Sequence, residues 1–280
     1  MQSSKNLEKA FSEAVEVAKS LPKPEIGDDT VIAYSGGGKP PALNLYIALI
    51  QAGARATIAP ASLAATSILP YRETGTVIAF TNSGRDARAI NLLMAASSLG
   101  VKAYLVSPPL HPAVEDLVAS LEAETITVES EATLLAMMIA TLHWRPQLMG
   151  AREQRIREEI EALPEAWEWV QERYSDVLNA MQDSIPARAY YSSLLEAAAR
   201  YHTLASGRPS YELQDSLLIE ARGERPLLYV SSVEAHNYKD ILLGLTMKGV
   251  RPLKVEVNTD PVTANIYASI IAGIISGRLE

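Results

Sequence analysis

VIAF at 77–80 and YLV at 104–106 are apolar on both faces of any strand they form. A strand with one wetted face alternates polar and apolar residues, so runs without alternation belong to a sheet covered on both sides. The first 106 residues supply several such runs: TVIAYS (30–35), RATIAP (55–60), TVIAF (76–80) and VKAYLV (101–106). Helical patterns separate them, from about Pro41 to Ala52 and from about Asp86 to Leu99. Strand and helix in alternation with short connections predict parallel strands joined by right-handed crossovers, an α/β sandwich.

The composition changes between Ala151 and Asp183 to charge-rich helix, with Ile156, Ile160, Leu163, Trp167, Val170, Tyr174 and Leu178 at three- and four-residue steps. Pro164 should break or kink it. Beyond residue 185 the strand and helix pattern returns. A shift of 149 places TVIAFTNSGRDARAINLLMAASSLGVKAYLVS over RPLLYVSSVEAHNYKDILLGLTMKGVRPLKVE without a gap, with Asn82 and Ser83 over Ser231 and Ser232 and Gly100-Val101 over Gly249-Val250. Strand lies on strand and helix on helix, a likeness of pattern with few identities. The expected organisation is a first α/β half with the N-terminal helix (1–150), a helical linker (151–184) and a second α/β half (185–280).

A net charge of −8, with no dense Lys/Arg run, argues against nucleic acid as the partner, because that affinity rests on clustered cations. There is no cysteine, which excludes disulfides, thiolate nucleophiles and Cys-based metal sites. The opening MQSSKNLEKAFSEAVEVAKSL is read as an amphipathic helix, since it lacks the unbroken apolar core of a signal peptide. No apolar stretch reaches the roughly 20 residues that span a bilayer. The expectation is a soluble, cytoplasmic protein that engages no membrane.

The candidate site is read from two corners. TVIAF ends in Thr81-Asn82-Ser83-Gly84-Arg85-Asp86 and passes at once into a helix. Such a corner aims backbone N–H groups and hydroxyls along the positive end of the helix dipole, which suits an anion. Thr81 and Ser83 offer hydroxyls, Asn82 an amide, and Gly84 room for a ligand near the backbone. Ser35-Gly36-Gly37-Gly38 follows the first strand by the same logic, its glycines leaving room for a sugar-sized group. The alternative is that Ser83 or Asp86 caps the helix and the glycines only turn the chain. Neither a GxGxxG fingerprint nor a Walker lysine-serine pair is present.

The stretch from Thr76 to Ser107 resembles the sugar isomerase (SIS) domain, whose strand ends in a Ser-x-Ser-Gly-x-Thr loop around a sugar phosphate. The archaeal bifunctional phosphoglucose/phosphomannose isomerases resemble it more closely, with an early Gly-Gly-Ser-Gly similar to Ser35-Gly36-Gly37-Gly38 and two SIS halves in one chain. Their second half carries a Glu and, 16 positions on, a His-Asn; here Glu220 stands 16 positions before His236-Asn237. The resemblance implies two SIS-like parallel-sheet halves and an aldose–ketose isomerase acting through an enediol on substrates of the glucose, mannose and fructose 6-phosphate type. Glu220 would shuttle the proton and His236 would open the sugar ring, reaching across the interface of a homodimer. Trp167 and Tyr174 are expected to add contacts there. In two places the loops depart from the family: Asp86 stands for its closing Thr and Gly37 for its Ser. The Lys near the family's C-terminus is also missing, because only Arg278 is basic after Lys254. Arg85 or Arg88 could neutralise a phosphate instead. Two alternatives follow: a non-catalytic phosphosugar-binding protein, and an isomerase of a non-phosphorylated sugar, which an uncompensated Asp86 would favour.

The other histidines fit no site. His111 lies in a loop, His143 in the apolar helical stretch LLAMMIATLHW where a core histidine is usual, and His202 follows Tyr201 in a helix. No spacing suggests metal ligands and no GxSxG elbow is present, so neither metal nor cofactor is expected.

Overall fold

The computed structural model describes residues 4–182, 188–213 and 225–280. Helix α1 (Ser4–Ser20) buries Leu7, Phe11, Ala14, Val15 and Ala18 at the spacing of one helical face. The chain divides into two compact units: one is Glu13–Leu148, and the other is Met149–Glu280 with the first turns of α1, up to Ser12.

The first unit alternates β1 (Asp29–Ser35), α2 (Lys39–Gln51), β2 (Arg55–Pro60), helical turns from Ala61 to Tyr71, β3 (Thr76–Thr81), α3 (Ala87–Ser98), β4 (Lys102–Ser107), α4 (Pro112–Ser120), β5 (Glu124–Thr127) and α5 (Thr133–Trp144). Its five strands pair in parallel in the order β2-β1-β3-β4-β5. β3 is buried at every residue, as the missing alternation requires. On one face Val31, Ala33, Val77 and Ala79 pack against Leu92, Leu93 and Ala96 of α3. α5 is buried almost throughout and packs on α2, where Asn44 Nδ2 donates to Thr141 Oγ1 at 2.8 Å. His143 is the exposed residue of that helix, so the expectation of a core histidine fails.

The second unit contains α6 (Ala151–Glu161), α7 (Ala166–Arg173), α8 (Ser175–Gln182), β6 (Ala189–Tyr191), α9 (Glu196–Ser206), β7 (Ser210–Glu212), β8 (Leu227–Ser231), α10 (Lys239–Met247), β9 (Leu253–Val257) and α11 (Pro261–Ser276). Its described strands pair in parallel in the order β7-β6-β8-β9, the same order as β2-β1-β3-β4. β3, α3 and β4 recur as β8, α10 and β9 to within three residues of the 149-residue shift. Pro164 sits in a single 3-10 turn between α6 and α7, where its missing N–H breaks the helix. α6 to α8 pack on α11 within this unit rather than standing apart from it. Trp167 and Tyr174 are buried there, Trp167 stacked on Phe11 at 5.9 Å and Tyr174 donating to the Glu256 carbonyl at 2.8 Å. Their apolar surface is used inside the unit, so neither is available for contacts with a second copy. The buried histidine is His202, whose Nδ1 lies 3.3 Å from the Tyr229 hydroxyl, and burial lowers its pKa to about 4. Among the described residues no helix is long and apolar enough to cross a membrane.

Candidate functional site at the first switch point

In a sheet of order 2-1-3-4-5 the crossovers after the first and third strands leave in opposite directions, and the crevice between those strand ends is where ligands bind. β1 and β3 are paired through Ser35 opposite Thr81, so Ser35–Gly38 and Thr81–Asp86 lie side by side at the C-terminal edge of the sheet. Gly36–Gly38 form one 3-10 turn that runs directly into α2, with Gly36 at φ +54°, a conformation that costs other residues free energy. The Gly37 N–H donates to Asn82 Oδ1 at 2.8 Å, and this bond ties the two corners together.

Asp86 is the N-cap of α3. Its Oδ1 accepts from the Arg88 backbone N–H at 3.0 Å and from Arg88 Nε at 3.2 Å, while Oδ2 accepts from Arg88 Nη2 at 3.1 Å and Thr81 Oγ1 at 3.4 Å. The Asp86 side chain is only 8% exposed. Burial pushes its pKa up, but the bonds and charge of Arg88 outweigh that and hold it below 3.8. Ser35 Oγ, buried and without a partner in hydrogen-bond geometry, lies near enough to help hold the carboxylate ionised. Because the folded pKa is depressed, this cap stabilises above the unfolded pKa and is lost as pH falls through the folded value. Asp86→Ala should therefore lower stability by about 1 kcal/mol at neutral pH, the usual worth of a cap. The difference from wild type should shrink in acid as pH falls from 3.8 through the lower folded value, as read by urea unfolding across that range.

The glycines do something other than leave room. A Cβ on Gly37 would meet the Asn82 amide, one on Gly38 the Phe80 carbonyl, and one on Gly84 the Pro109 carbonyl. On the Cβ side of Gly37, Gly38 and Gly84 the chain packs against itself, the corners on each other and on the loop after β4. The His111 N–H donates to the Gly84 carbonyl at 2.9 Å across the same contact. Gly84→Ala should cost about 1–3 kcal/mol by overpacking against rigid backbone, visible as a lower melting midpoint.

Polar groups remain at the surface of this edge. Asn82 and Arg85 are exposed, Ser83 is half-buried, and Arg85 has no ion-pair partner among the described residues. The Ser83 hydroxyl only accepts, from the Arg85 N–H at 3.5 Å, so its hydrogen is available to an acceptor. Thr81 is buried, with its hydroxyl bonded to Asp86 and accepting from the Ser83 N–H at 3.2 Å. Arg88 is committed to Asp86, and Arg85 is the cation left at the corner.

His236 lies in the other unit, exposed in the 3-10 turn Ala235–Tyr238 after β8. Glu220 lies outside the described residues. Two residues not singled out from the sequence form a counterpart of the first corner. Ser192, at the end of β6, is followed by the 3-10 turn Ser193–Leu195, and its Oγ accepts from the Ser231 N–H at 3.1 Å. The Leu194 N–H then donates to Glu234 Oε2 at 3.2 Å, in the place of the Gly37–Asn82 bond. Among the described residues no cluster of His, Cys, Asp or Glu could hold a metal ion.

Neither a protein-family model nor a curated protein matches the sequence. Solved structures share the fold at low identity. Glucosamine-6-phosphate deaminase from Thermotoga maritima has a TM-score of 0.67 at 15% identity, over 97% of this chain and 91% of its own. Tagatose-6-phosphate ketose/aldose isomerase from Escherichia coli has 0.61 at 12%, over 97% and 86%. The C-terminal domain of glucosamine-fructose-6-phosphate aminotransferase from Francisella tularensis has 0.59 at 10%, over 98% and 94%. The chain therefore has a fold also found in enzymes named for sugar phosphates.

Proposed function

We propose that this chain binds a sugar phosphate at the switch point between β1 and β3 and interconverts aldose and ketose phosphates of the glucose, mannose and fructose 6-phosphate type. The observation that carries this reading is the pairing of Asp86 with Arg88, which offsets the one charge that would repel a phosphate and leaves Arg85 unpaired beside it. Asn82, Ser83 and Arg85 would hold the phosphate. Glu220 would move the proton between adjacent carbons through an enediol, and His236, supplied by a second copy in a homodimer, would open the ring. A cytoplasmic setting belongs to the same reading. The fold shared with the deaminase and the tagatose-6-phosphate isomerase supports the substrate class.

The neutral-sugar alternative loses its motive once Asp86 is offset. A non-catalytic phosphosugar-binding protein stays as the alternative, since holding a phosphate at Asn82, Ser83 and Arg85 requires neither Glu220 nor His236. Binding is tested by melting the protein with fructose 6-phosphate, glucose 6-phosphate and the unphosphorylated sugars. At a hundredfold excess over Kd a ligand of the native state stabilises by about 2.7 kcal/mol, so the phosphates alone should raise the midpoint. An equal rise with neutral sugars removes the phosphate reading. Light scattering on the same sample should give twice the chain mass, and a monomer at micromolar concentration removes the shared site.

A further inference from the structure

Beyond the C-terminal end of β9 the second unit holds a cleft of about 390 Å³, within the range of small-molecule sites. Thr259, two residues past the strand, lines it. Thr259 is 7% exposed, and its hydroxyl is buried with no hydrogen-bond partner among the described residues. A buried hydroxyl without a partner is costly, and Thr259 stands in the wall of an open cleft, where a bound ligand or solvent can complete it.

The surrounding groups define what that is. Trp169 is 40% exposed, yet it is held by near-perpendicular contacts with Tyr267 at 5.3 Å and Tyr174 at 5.8 Å. An aromatic group so fixed, at the mouth of a cleft, is a preformed surface for a cation or an apolar stem. Glu158 and Glu165 line the same cleft, and neither pairs with a cation among the described residues; Glu158 accepts only from the neutral Gln154 amide at 2.9 Å. Arg155 also lines it but is bonded to Glu159 at 3.0 Å. The amide end of α11 is equally committed: the Glu159 carboxylate accepts from the Asp260 N–H at 3.0 and 3.1 Å and from the Thr263 hydroxyl. An anion would meet two unpaired carboxylates and find the helix end already filled. An ammonium group would find both carboxylates, an aromatic surface for its stem, and the Thr259 oxygen as acceptor for one N–H.

We propose that this cleft binds an organic ammonium ion, a primary amine on a short apolar stem, with Glu158 and Glu165 supplying its counter-charge. Nothing in the reading of the β1–β3 switch point bears on it.

The probe is n-butylammonium chloride, with butyrate and 1-butanol as ligands of equal stem and opposite or no charge, all at constant ionic strength. Trp144 and Trp167 are buried, so Trp169 should report binding as a saturable change in tryptophan emission. Saturation-transfer NMR on the same ligands reads binding without the tryptophan. Butylammonium should bind by both measures, and butyrate and butanol should not. The Glu158→Gln/Glu165→Gln double variant changes two exposed side chains and should still fold. It should bind butylammonium at least tenfold more weakly while Trp169 remains as reporter, and Thr259→Val should weaken binding severalfold. No saturation transfer to butylammonium, an equal response to butyrate or butanol, or an unchanged affinity in the double variant would each overturn the proposal.

Discussion

Incubated with fructose 6-phosphate in D2O, the wild-type protein should place deuterium on the sugar at the carbon that loses its proton. A carboxylate that removes a proton in forming the enediol exchanges it with solvent before returning it, and deuterium also enters the aldose at C2 when the proton is delivered there. Glu220→Gln keeps the shape and hydrogen-bonding reach of the side chain but removes the base. Exchange should fall by roughly 10²–10⁴, the range for general-base catalysis, while the thermal shift with fructose 6-phosphate persists. Separate readouts of binding and exchange matter, because a non-catalytic module binds and shifts but never exchanges. His236→Ala should slow turnover of ring-closed substrate more than of an open-chain analogue, since ring opening precedes proton transfer. Saturable binding without deuterium uptake from any hexose or pentose phosphate would remove the isomerase and leave the binding protein.

Four of the five strands of the first unit were legible in the sequence, β1, β3 and β4 because they are covered on both sides, while the four-residue β5 was not named. TVIAYS, RATIAP, TVIAF and VKAYLV all correspond to strands, with ends that move by a residue. The crossover pattern then put the corners at one edge, and the Ser35–Thr81 register places them together there. β6 and β7 are only three residues each, too short for any periodicity to register, and the turn after β6 has no glycine to mark it as Gly36–Gly38 mark theirs. Ser192 was missed for that reason. The 149-residue shift set Asn82 over Ser231, whereas the residue doing the work of Asn82 is Glu234, because the second loop reaches further before its side chain turns back to the Leu194 N–H. The sign of Asp86 was readable, but its consequence was not. Whether an acid at such a corner repels a ligand depends on where Arg88 folds, and a two-residue spacing is no signal of pairing at a helix start. The packing role of the glycines was not readable either, since composition cannot say that the Cβ side of Gly84 is filled by Pro109. Glu220 lies outside the described residues, so its chemistry rests on the exchange experiment alone.

The comparison of Asn82 with Glu234 leads to the second large effect. Both corners use a side-chain oxygen to accept an N–H just past the end of a strand, from Gly37, two residues beyond β1, in one and from Leu194, three residues beyond β6, in the other. The first corner uses a neutral amide, whose Nδ2 is left as a donor for an anion; the second uses a carboxylate, which brings its own negative charge to the place a phosphate would occupy. Asn82→Asp makes the first corner like the second. The change is nearly isosteric, and the 2.8 Å bond from the Gly37 N–H should survive and shorten, so the fold is expected to hold. A charge about 4 Å from a phosphate costs about 1 kcal/mol in water and about 4 at a partly buried surface, and Asn82 is exposed, so the lower part of that range applies. A dianion doubles the repulsion and the Nδ2 donor is lost as well. Affinity for fructose 6-phosphate should fall roughly 10- to 100-fold, and part of the loss should return at high salt, where exposed charges are screened. Glu234→Gln, made at the other corner, should leave that affinity unchanged. If Asn82→Asp binds fructose 6-phosphate as tightly as wild type, the phosphate does not sit at the β1–β3 switch point, and Arg85 and Ser83 lose their assigned roles with it.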